Sequence, residues 1–342
     1  MAPLRFGLSG CGNRGTDVVR AVRSHAHCEV AALHDPDPEA RARLGENAVV
    51  RARFGDFEAM LQSGIDFVVL ANPCGDRLGQ VEAAAAQGVS VLLHAPMAPD
   101  AATASAMVTA ANAAGVKIGV AVPLQAEPML EQLRRMIADD WLGTPVVVHA
   151  MTASDRVLRT PPAPGHWQRD VHRSGSGALP KLAAESVHLT VWLTERAPMA
   201  TVALAATGFT SLPEDGAVAA LRLRGGALCT FASSHLCAGS SLAIHGTDGS
   251  AHLIPQQSWF LGRKVFRGDS FDYQQAGVLQ MVPRDLHDEP LAGHFELHGR
   301  FARWLDDRDD FPCPGDQAAL DMLALDAMQR SIASGRSETV QP

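Results

Sequence analysis

The feature that most constrains the fold lies at the start of the chain, where an apolar run leads into three spaced glycines. Residues 4–9 are typical of a short strand, and a helix is predicted over 16–23. In a Gly-x-Gly-x-x-Gly turn the first glycine permits the tight turn, the second lets the backbone approach a pyrophosphate, and the third lets the helix pack on the strand. The helix N-terminus then presents N–H groups and a positive dipole end to the phosphates. The pattern predicts a dinucleotide site rather than a purely structural turn, formed by Gly10, Cys11, Gly12, Asn13, Arg14 and Gly15.

An acidic residue follows the second predicted strand at the spacing that such a site requires. The strand covers 28–33, and Asp35 comes about 20 residues after Gly15. A carboxylate at this point accepts hydrogen bonds from a ribose diol and repels a 2′-phosphate. We therefore expect NAD as the cofactor in preference to NADP. Arg41 and Arg43 lie nearby and would soften that preference, unless they only form a solvated helix face.

Composition and charge exclude several classes of protein. The formal net charge of -8 argues against binding to nucleic acid or to an anionic membrane. No apolar stretch approaches the roughly 20 residues that span a bilayer. The chain begins with a strand rather than a secretory signal, and its 6 cysteines are scattered without a Cys-x-x-Cys pair. These observations predict a cytoplasmic protein that acts on a small molecule.

Strand and helix patterns alternate over the first 121 residues, which predicts a doubly wound parallel α/β sheet. Ligands of such sheets bind at the carboxyl ends of the strands. The predicted dinucleotide-binding domain therefore covers 1–121. Its further strands are predicted over 65–71, 89–93 and 116–121, and its further helices over 38–44, 57–61, 79–87 and 100–114.

The pattern changes after residue 121, so 122–342 is predicted as a second, α+β domain. Strand signals follow one another there with few helices between them, which favours an open and mainly antiparallel sheet. The strands are predicted over 145–150, 200–206, 217–224, 227–233, 241–246 and 250–254. The helices are predicted over 129–138, 179–193, 293–306 and 317–334.

The order and spacing of several short motifs resemble the Gfo/Idh/MocA family, named for glucose–fructose oxidoreductase and inositol dehydrogenase. Besides the glycine turn, the motifs lie at 34–38, 72–74, 94–98, 175–179 and 331–336. The resemblance implies a Rossmann domain, an open-sheet second domain and NAD(P) between them. It also implies a sugar, inositol or similar polyol as substrate, and a homodimer or homotetramer that packs through the C-terminal sheet.

The chain departs from that family where the chemistry is expected. The family usually carries Glu-Lys-Pro at a strand end, with its lysine at the nicotinamide, whereas this chain has His94-Ala95-Pro96. On the catalytic helix, the usual aspartate and the histidine four residues later align with Lys181 and Glu185, and a further aspartate aligns with His188. The histidine that the family usually carries after its Thr-Pro-Asn-like turn aligns with Arg77. The resemblance thus implies that the cofactor-binding residues are intact and that the catalytic residues are rearranged.

Three titratable residues on one predicted helix are candidates for that rearranged chemistry. Lys181, Glu185 and His188 stand at i, i+4 and i+7, so they share a helix face. Oxidation of an alcohol needs a base for the hydroxyl proton, and the reverse reaction needs an acid. The alternative is an exposed Lys–Glu pair that contributes a few tenths of a kcal/mol. Alignment with the family's catalytic helix favours the site role.

Residues that follow the strands complete the candidate site. His94 follows a predicted strand and should face the nicotinamide side of the crevice, where an imidazole titrates near neutral pH; a structural histidine is the alternative. Asn72, Pro73, Ala95 and Pro96 should line the cofactor cleft. Trp167 and Arg169 match a substrate-side segment of the family, unless they are a packed aromatic and a surface charge.

The leading hypothesis is an NAD-dependent oxidoreductase that acts on a hydroxyl or carbonyl of a sugar-like or other small polar substrate. Two other classes stay open. One is a redox-neutral glycosidase or lyase type of enzyme that keeps NAD bound, and the other is an NAD-binding sensor without catalysis. No metal is predicted: His294 and His298 have the spacing of metal ligands, but no third ligand is evident.

Overall fold

The chain forms two compact units. The computed structural model describes residues 3–22, 27–175, 177–253, 259–267, 270–279 and 292–341, with the backbone alone over 253–295. Unit 1 comprises Met1–Glu127 with Pro290–Leu320, and unit 2 comprises Pro128–Glu289 with Asp321–Pro342. This division differs from the contiguous one predicted at 121 and 122, because the chain returns to unit 1 near its C-terminal end.

Unit 1 is built on a parallel sheet. Its strands are β1 (Leu4–Ser9), β2 (Cys28–His34), β3 (Ala52–Phe54), β4 (Phe67–Leu70), β5 (Ser90–His94) and β6 (Ile118–Ala121). Among the described residues the six strands run parallel in the order β3-β2-β1-β4-β5-β6. All four residues of β4 are fully buried, as expected for a strand covered on both faces. The predicted parallel sheet is confirmed, and its strand order reverses between β1 and β4, where ligands of such sheets bind.

Helices flank this sheet and begin at capped positions. They are α1 (Asn13–Val22), α2 (Pro38–Ala48), α3 (Phe57–Leu61), α4 (Leu78–Ala86) and α5 (Ala101–Ala114), with 3-10 turns at Cys74–Asp76 and Pro123–Ala126. Asp37, Asp56 and Asp100 accept main-chain N–H hydrogen bonds at the N-termini of α2, α3 and α5. Such caps satisfy donors that have no partner inside the helix, so the sequence fixes where these helices start.

Unit 2 is built on an open sheet. Its strands are β7 (Pro145–Ala153), β8 (Pro198–Ala206), β9 (Gly216–Leu223), β10 (Leu228–Ser234), β11 (Gly239–Gly246), β12 (Gly249–Leu253), β13 (Trp259–Arg267), β14 (Ser270–Leu279) and, near the C-terminus, β15 (Glu338–Thr339). In the described ranges their order is β14-β13-β12-β11-β7-β10-β9-β8-β15. Only β7 and β10 pair in parallel there, so the predicted mainly antiparallel sheet is confirmed.

One long helix covers the inner face of that sheet. The helices of unit 2 are α6 (Pro128–Ala138), α7 (Arg156–Arg159), α8 (Val171–Ser174) and α9 (Ala178–Thr194), with a 3-10 turn at Trp167–Arg169. Helix α9 packs on β7, β9 and β10. Alternate residues of β9 are buried against it, whereas Val218 between them is 53% exposed. The sheet thus has a covered inner face and an open outer face.

The C-terminal helices divide between the units. Helix α10 (Ala292–Leu305) packs on unit 1, where the Phe301 ring lies 5.3 Å from the Phe67 ring, measured between centroids. The chain then bonds to β6 through the Val120 N–H, which donates to the Cys313 carbonyl over 2.9 Å. Helix α11 (Gly315–Ser334) follows, and its residues from Asp321 onward belong to unit 2. Over the described ranges, none of the helices combines the length and the apolar character needed to cross a membrane.

Candidate functional site

The glycine turn between β1 and α1 has the geometry that its sequence predicts. Gly10 has a φ of +102°, and a Cβ atom there would lie 2.6 Å from the Asn72 nitrogen. A Cβ on Gly15 would collide with the Gly10 carbonyl oxygen. At Gly12, by contrast, no described atom lies within 4 Å of the Cβ position. Two of the glycines therefore serve the packing of the turn, and the space at Gly12 is left for a ligand.

The surroundings of the turn fit a dinucleotide. Helix α1 begins at Asn13, so the N–H groups of its first turn have no partner within the helix and are directed outward. Asn72, beside Gly10, has a buried side-chain oxygen with no hydrogen-bond partner among the described residues. The turn lies outside the carboxyl ends of β1 and β4, where the strand order reverses. Open space at Gly12, N–H groups without a partner inside the helix and the orphaned Asn72 acceptor together suit a pyrophosphate and a nicotinamide ribose.

Asp35 is held firmly in place at the end of β2. Its carboxylate accepts hydrogen bonds from the N–H of Cys11 over 2.7 Å and from the N–H of Asp37 over 3.0 Å. The Arg41 guanidinium donates to the Asp35 carbonyl oxygen. Burial and the Asp35 charge raise the pKa of the Cys11 thiol to about 12, so this thiol stays neutral and is no nucleophile. The turn and the acidic residue thus form one bonded unit.

A buried arginine, Arg77, joins the loops that follow β4 and β5. Its guanidinium donates to the carbonyl oxygens of Asn72 over 2.6 Å, His94 over 2.6 Å and Pro96 over 2.8 Å. Burial lowers its pKa to about 10, which still leaves it charged at neutral pH. The predicted cofactor residues Asn72, Pro73, Ala95 and Pro96 all lie on these two loops, so one side chain fixes their positions. No pattern in the sequence indicates this role, apart from the alignment of Arg77 with a histidine of the family.

His94 lies in the core of unit 1. It is 2% exposed, and its ring centroid is 5.9 Å from that of His298 on α10. His94 is thus packed against α10, and its place on the nicotinamide side of the crevice stays a prediction. The side chain of His294, the other histidine with metal-ligand spacing, lies outside the described residues.

The three candidate residues of α9 share a helix but have different environments. Lys181 and Glu185 are half-buried, whereas His188 is 4% exposed. The His188 Nδ1 atom is hydrogen-bonded to the carboxylate of Asp321 on α11. A buried, carboxylate-bound histidine links two helices of unit 2. The structure therefore separates His188 from the pair that precedes it on the helix.

Lys181 belongs to a polar cluster at the start of α9. Its ammonium lies 5.2 Å from the centroid of the Trp167 indole ring, within cation–π range. Burial, and then the charges of Lys181 and Arg173, lower the pKa of His166. Arg169, in the same 3-10 turn as Trp167, has a buried Nε atom without a hydrogen-bond partner in the described part of the chain. The structure thus places Trp167 and Lys181, two separately predicted residues, together.

Sequence reasoning missed residues that complete this cluster. Glu214 is 5% exposed, and its carboxylate accepts the Leu179 N–H at the N-terminus of α9. Burial raises the pKa of Glu214, whereas this hydrogen bond lowers it. His235, directly after β10, is 2% exposed; burial and then the Lys181 charge lower its pKa, and the Asp215 charge opposes them. No local spacing connects these residues to α9, because the sheet brings them there.

The parallel sheet with its glycine turn, followed by an open-sheet unit, defines a two-domain oxidoreductase that binds NAD(P). A family model described as "Oxidoreductase family, NAD-binding Rossmann fold" matches residues 4–122. A second, described as "GFO/IDH/MocA C-terminal domain", matches residues 130–252. The chain belongs to the Gfo/Idh/MocA family.

Known relatives include sugar dehydrogenases. D-xylose 1-dehydrogenase [NADP(+)] of Haloarcula marismortui is 26% identical over 265 residues, which cover 74% of this chain and 72% of that protein. An oxidoreductase domain protein from Kribbella flavida superposes with a TM-score of 0.86 at 21% identity over 100% of both chains. Levoglucosan dehydrogenase, solved with NADH and levoglucosan, superposes with a TM-score of 0.85 at 18% identity over 99% of this chain and 100% of that chain. At these identities the two structures establish the fold alone.

Proposed function

We propose that this protein is an NAD-dependent oxidoreductase that transfers hydride between the nicotinamide and a hydroxyl or carbonyl group of a sugar-like substrate. The observation that carries the proposal is the intact glycine turn, with its open space at Gly12 beside the fixed carboxylate of Asp35. The relative named for D-xylose supports a polyhydroxylated substrate.

The preference for NAD over NADP rests on Asp35. Its two carboxylate oxygens each accept one main-chain N–H and keep further lone pairs for the hydroxyls of a ribose. A 2′-phosphate at the same point would meet the negative charge of this carboxylate. Arg41 lies beside it but donates to the Asp35 carbonyl oxygen, so its charge is partly engaged. The Haloarcula marismortui relative is named as an NADP(+)-dependent enzyme, so the preference of this protein for NAD needs to be measured directly.

Lys181 is the residue to which we assign proton transfer. When bound, the nicotinamide supplies the hydride acceptor or donor; the protein must still take the hydroxyl proton or return it. Lys181 is half-buried beside the Trp167 ring, where its rotation is restricted. Glu185 lies one turn further along α9, within reach of a partner role. Trp167 and Arg169 would bind the substrate, since an indole face and a guanidinium suit a hydroxyl-rich ring.

Titration calorimetry of the cofactor-stripped protein with NAD, NADH, NADP and NADPH tests the cofactor assignment. We expect the NAD pair to bind more tightly than the NADP pair. Tighter binding of the NADP pair would overturn the role of Asp35. A failure of all four nucleotides to bind would overturn the oxidoreductase proposal itself.

Formation of NADH from NAD⁺ with D-xylose, inositol or levoglucosan tests the reaction. With the substrate that the wild type oxidises, Lys181→Ala should lower turnover by about 100-fold or more. Arg134→Ala is the matched control, because its guanidinium lies 5.1 Å from the Trp192 ring in the same kind of pair, and it should leave turnover unchanged. Product analysis separates the alternatives: substrate consumed without net NADH would indicate the redox-neutral enzyme, and NAD binding without any conversion would indicate the sensor.

We also propose that the protein acts in the cytoplasm as a homodimer or homotetramer that packs through the sheet of unit 2. Support comes from the outer face of this sheet, where adjacent strands present exposed apolar side chains. These are Val202 at 45% exposure, Val218 at 53%, Leu228 at 56% and Leu204 at 67%. Light scattering of the wild type and of Leu204→Glu tests the assignment, since a charge on that face should shift the mass toward the monomer.

A further inference from the structure

His235 is anchored firmly through its main chain. It follows the last residue of β10, and its N–H donates to the Asp215 carbonyl oxygen over 2.7 Å. The next N–H along the chain, that of Leu236, donates to the Ser234 Oγ atom over 3.0 Å. The backbone is therefore held on both sides of residue 235. These main-chain hydrogen bonds fix the position of the His235 side chain without any hydrogen bond from its own ring.

The imidazole of His235 is buried without hydrogen bonds. It is 2% exposed, and neither Nδ1 nor Nε2 has a hydrogen-bond partner among the described residues. Other histidines of this chain differ: His34 is bonded to Ser9, His149 to Thr230 and His188 to Asp321. Leaving a buried polar group unpaired is destabilising, because its hydrogen bonds to water are lost and not replaced. Such a group is expected where a ligand supplies the missing partners.

The imidazole of His235 lies within electrostatic range of Lys181. Burial is the main cause that lowers the pKa of His235 to about 4, the Lys181 charge lowers it further, and Asp215 opposes both. The Asp215 carboxylate is already bonded to the N–H groups of Phe209 and Thr210 and to the Thr210 hydroxyl. At neutral pH the ring is therefore uncharged, with one nitrogen that donates and one that accepts.

We propose that His235 is a substrate-binding residue whose imidazole hydrogen-bonds the hydroxyl groups of a polyhydroxylated substrate beside Lys181. The inference rests on the proposed function and extends it to a residue that no motif indicates. Pairing both ring nitrogens takes one donor and one acceptor on opposite sides of the ring, which two well-separated hydroxyls of a polyol supply. A carboxylate or a cation would satisfy only one of the two nitrogens.

Steady-state kinetics of His235→Gln and His235→Asn test the role, with D-xylose, inositol and levoglucosan as probes. For a probe that the wild type oxidises, we expect KM to rise about tenfold or more in His235→Gln, with little change in kcat, since a bond present in both ground and transition states is lost. The Kd for NAD⁺ should stay within about twofold of the wild type. His27→Gln, exposed at the amino end of the parallel sheet, is the control and should leave KM unchanged. A KM within about twofold of the wild type in both His235 variants would overturn the proposal.

A measurement without turnover separates this inference from the proposed function. The ¹⁵N resonances of the histidine rings are recorded in the NAD-loaded wild type, and those of His235 are identified by their loss in His235→Gln or, if that variant does not fold, in His235→Asn. Addition of the same probes should shift the His235 resonances. If no probe is oxidised but these resonances shift, the oxidoreductase proposal fails and the binding role stands. If they do not move with any probe, the binding role is overturned, and an ordered water is the better partner for the ring.

Discussion

The glycine turn of unit 1 and the Lys181 cluster of unit 2 are candidate sites of opposite construction. The turn is made of backbone: Gly10 and Gly15 permit contacts that any Cβ would block, and Asp35 is tied to it by main-chain N–H groups. The cluster is made of side chains that different elements contribute, with Lys181 on α9 and His235 after β10. The backbone site is formed by residues that are adjacent in the sequence. The side-chain site is formed by residues that are distant in the sequence and meet only when the sheet folds. Substitutions should therefore act differently on the two.

The largest effect is expected at Gly15. Gly15→Ala forces a Cβ against the Gly10 carbonyl, so it should destabilise unit 1 by about 3 kcal/mol or more and abolish NAD binding. Gly12→Ala is its matched control, because no described atom approaches that Cβ position. It should leave the melting temperature nearly unchanged and weaken NAD binding by about tenfold. Thermal melts measure the stability of the two variants, and calorimetry measures their affinity for NAD. Equal effects of the two variants would refute the assignment of Gly15 to packing and of Gly12 to ligand space.

The next effect concerns the buried pair of His188 and Asp321. Asp321→Ala leaves His188 without its carboxylate and should lower the free energy of unfolding by about 3–5 kcal/mol. The exposed pair of Arg159 and Asp155 offers the comparison, where Asp155→Ala should cost less than about 1 kcal/mol. Denaturant titration measures both. If His188→Gln instead kept full stability and lost turnover, His188 would be a proton-transfer residue after all.

The pH dependence of stability should reveal His235. Its pKa falls from 6.5 in the unfolded chain to about 4 in the fold, so the unfolded state binds the proton more readily between these values. This contribution is complete above pH 6.5 and is lost as the pH falls toward 4. Between pH 7 and pH 5 the wild type should lose about 2 kcal/mol more than His235→Gln. Parallel unfolding curves of the two proteins over this range would contradict the burial of an unpaired imidazole.

The smallest effect is expected on cofactor choice. Asp35→Ser removes the charge that opposes a 2′-phosphate and should shift the ratio of NADP⁺ to NAD⁺ affinity by about tenfold toward NADP⁺. Asp37→Ser is the control in the same loop, because serine also caps α2 and only the charge is lost. Calorimetry with both nucleotides measures the ratio. An equal shift in the two variants would mean that net charge, rather than the position of Asp35, determines the preference.

Local patterns in the sequence predicted most of the fold. Helices α2, α3 and α5 were predicted to within a few residues, and apolar runs predicted the strands of the parallel sheet apart from β3, which has only three residues. Helix α1 begins at Asn13, within the glycine motif itself and three residues before its predicted start. Strands β13 and β14 were not predicted from the sequence.

What the sequence did not predict depends on contacts between distant residues. The return of residues 290–320 to unit 1 follows from the packing of Phe301 on Phe67, which no local pattern reveals. Glu214 lies 35 residues from the Leu179 N–H that it accepts. The contact between His94 and His298 likewise joins residues that lie far apart in the chain. Side-chain roles of this kind need the fold before they can be assigned.

Arg77 has a mechanical consequence. One rigid guanidinium donates hydrogen bonds to the carbonyl oxygens of Asn72, His94 and Pro96 at once. We therefore expect the loops after β4 and β5 to move together rather than independently. A push on either loop is transmitted to the other through this one planar group. A lysine in place of Arg77 carries its donors on one nitrogen, so it would bind one of the two loops and leave the other unbound. The planar shape of this one side chain is thus what allows it to bind both loops at once.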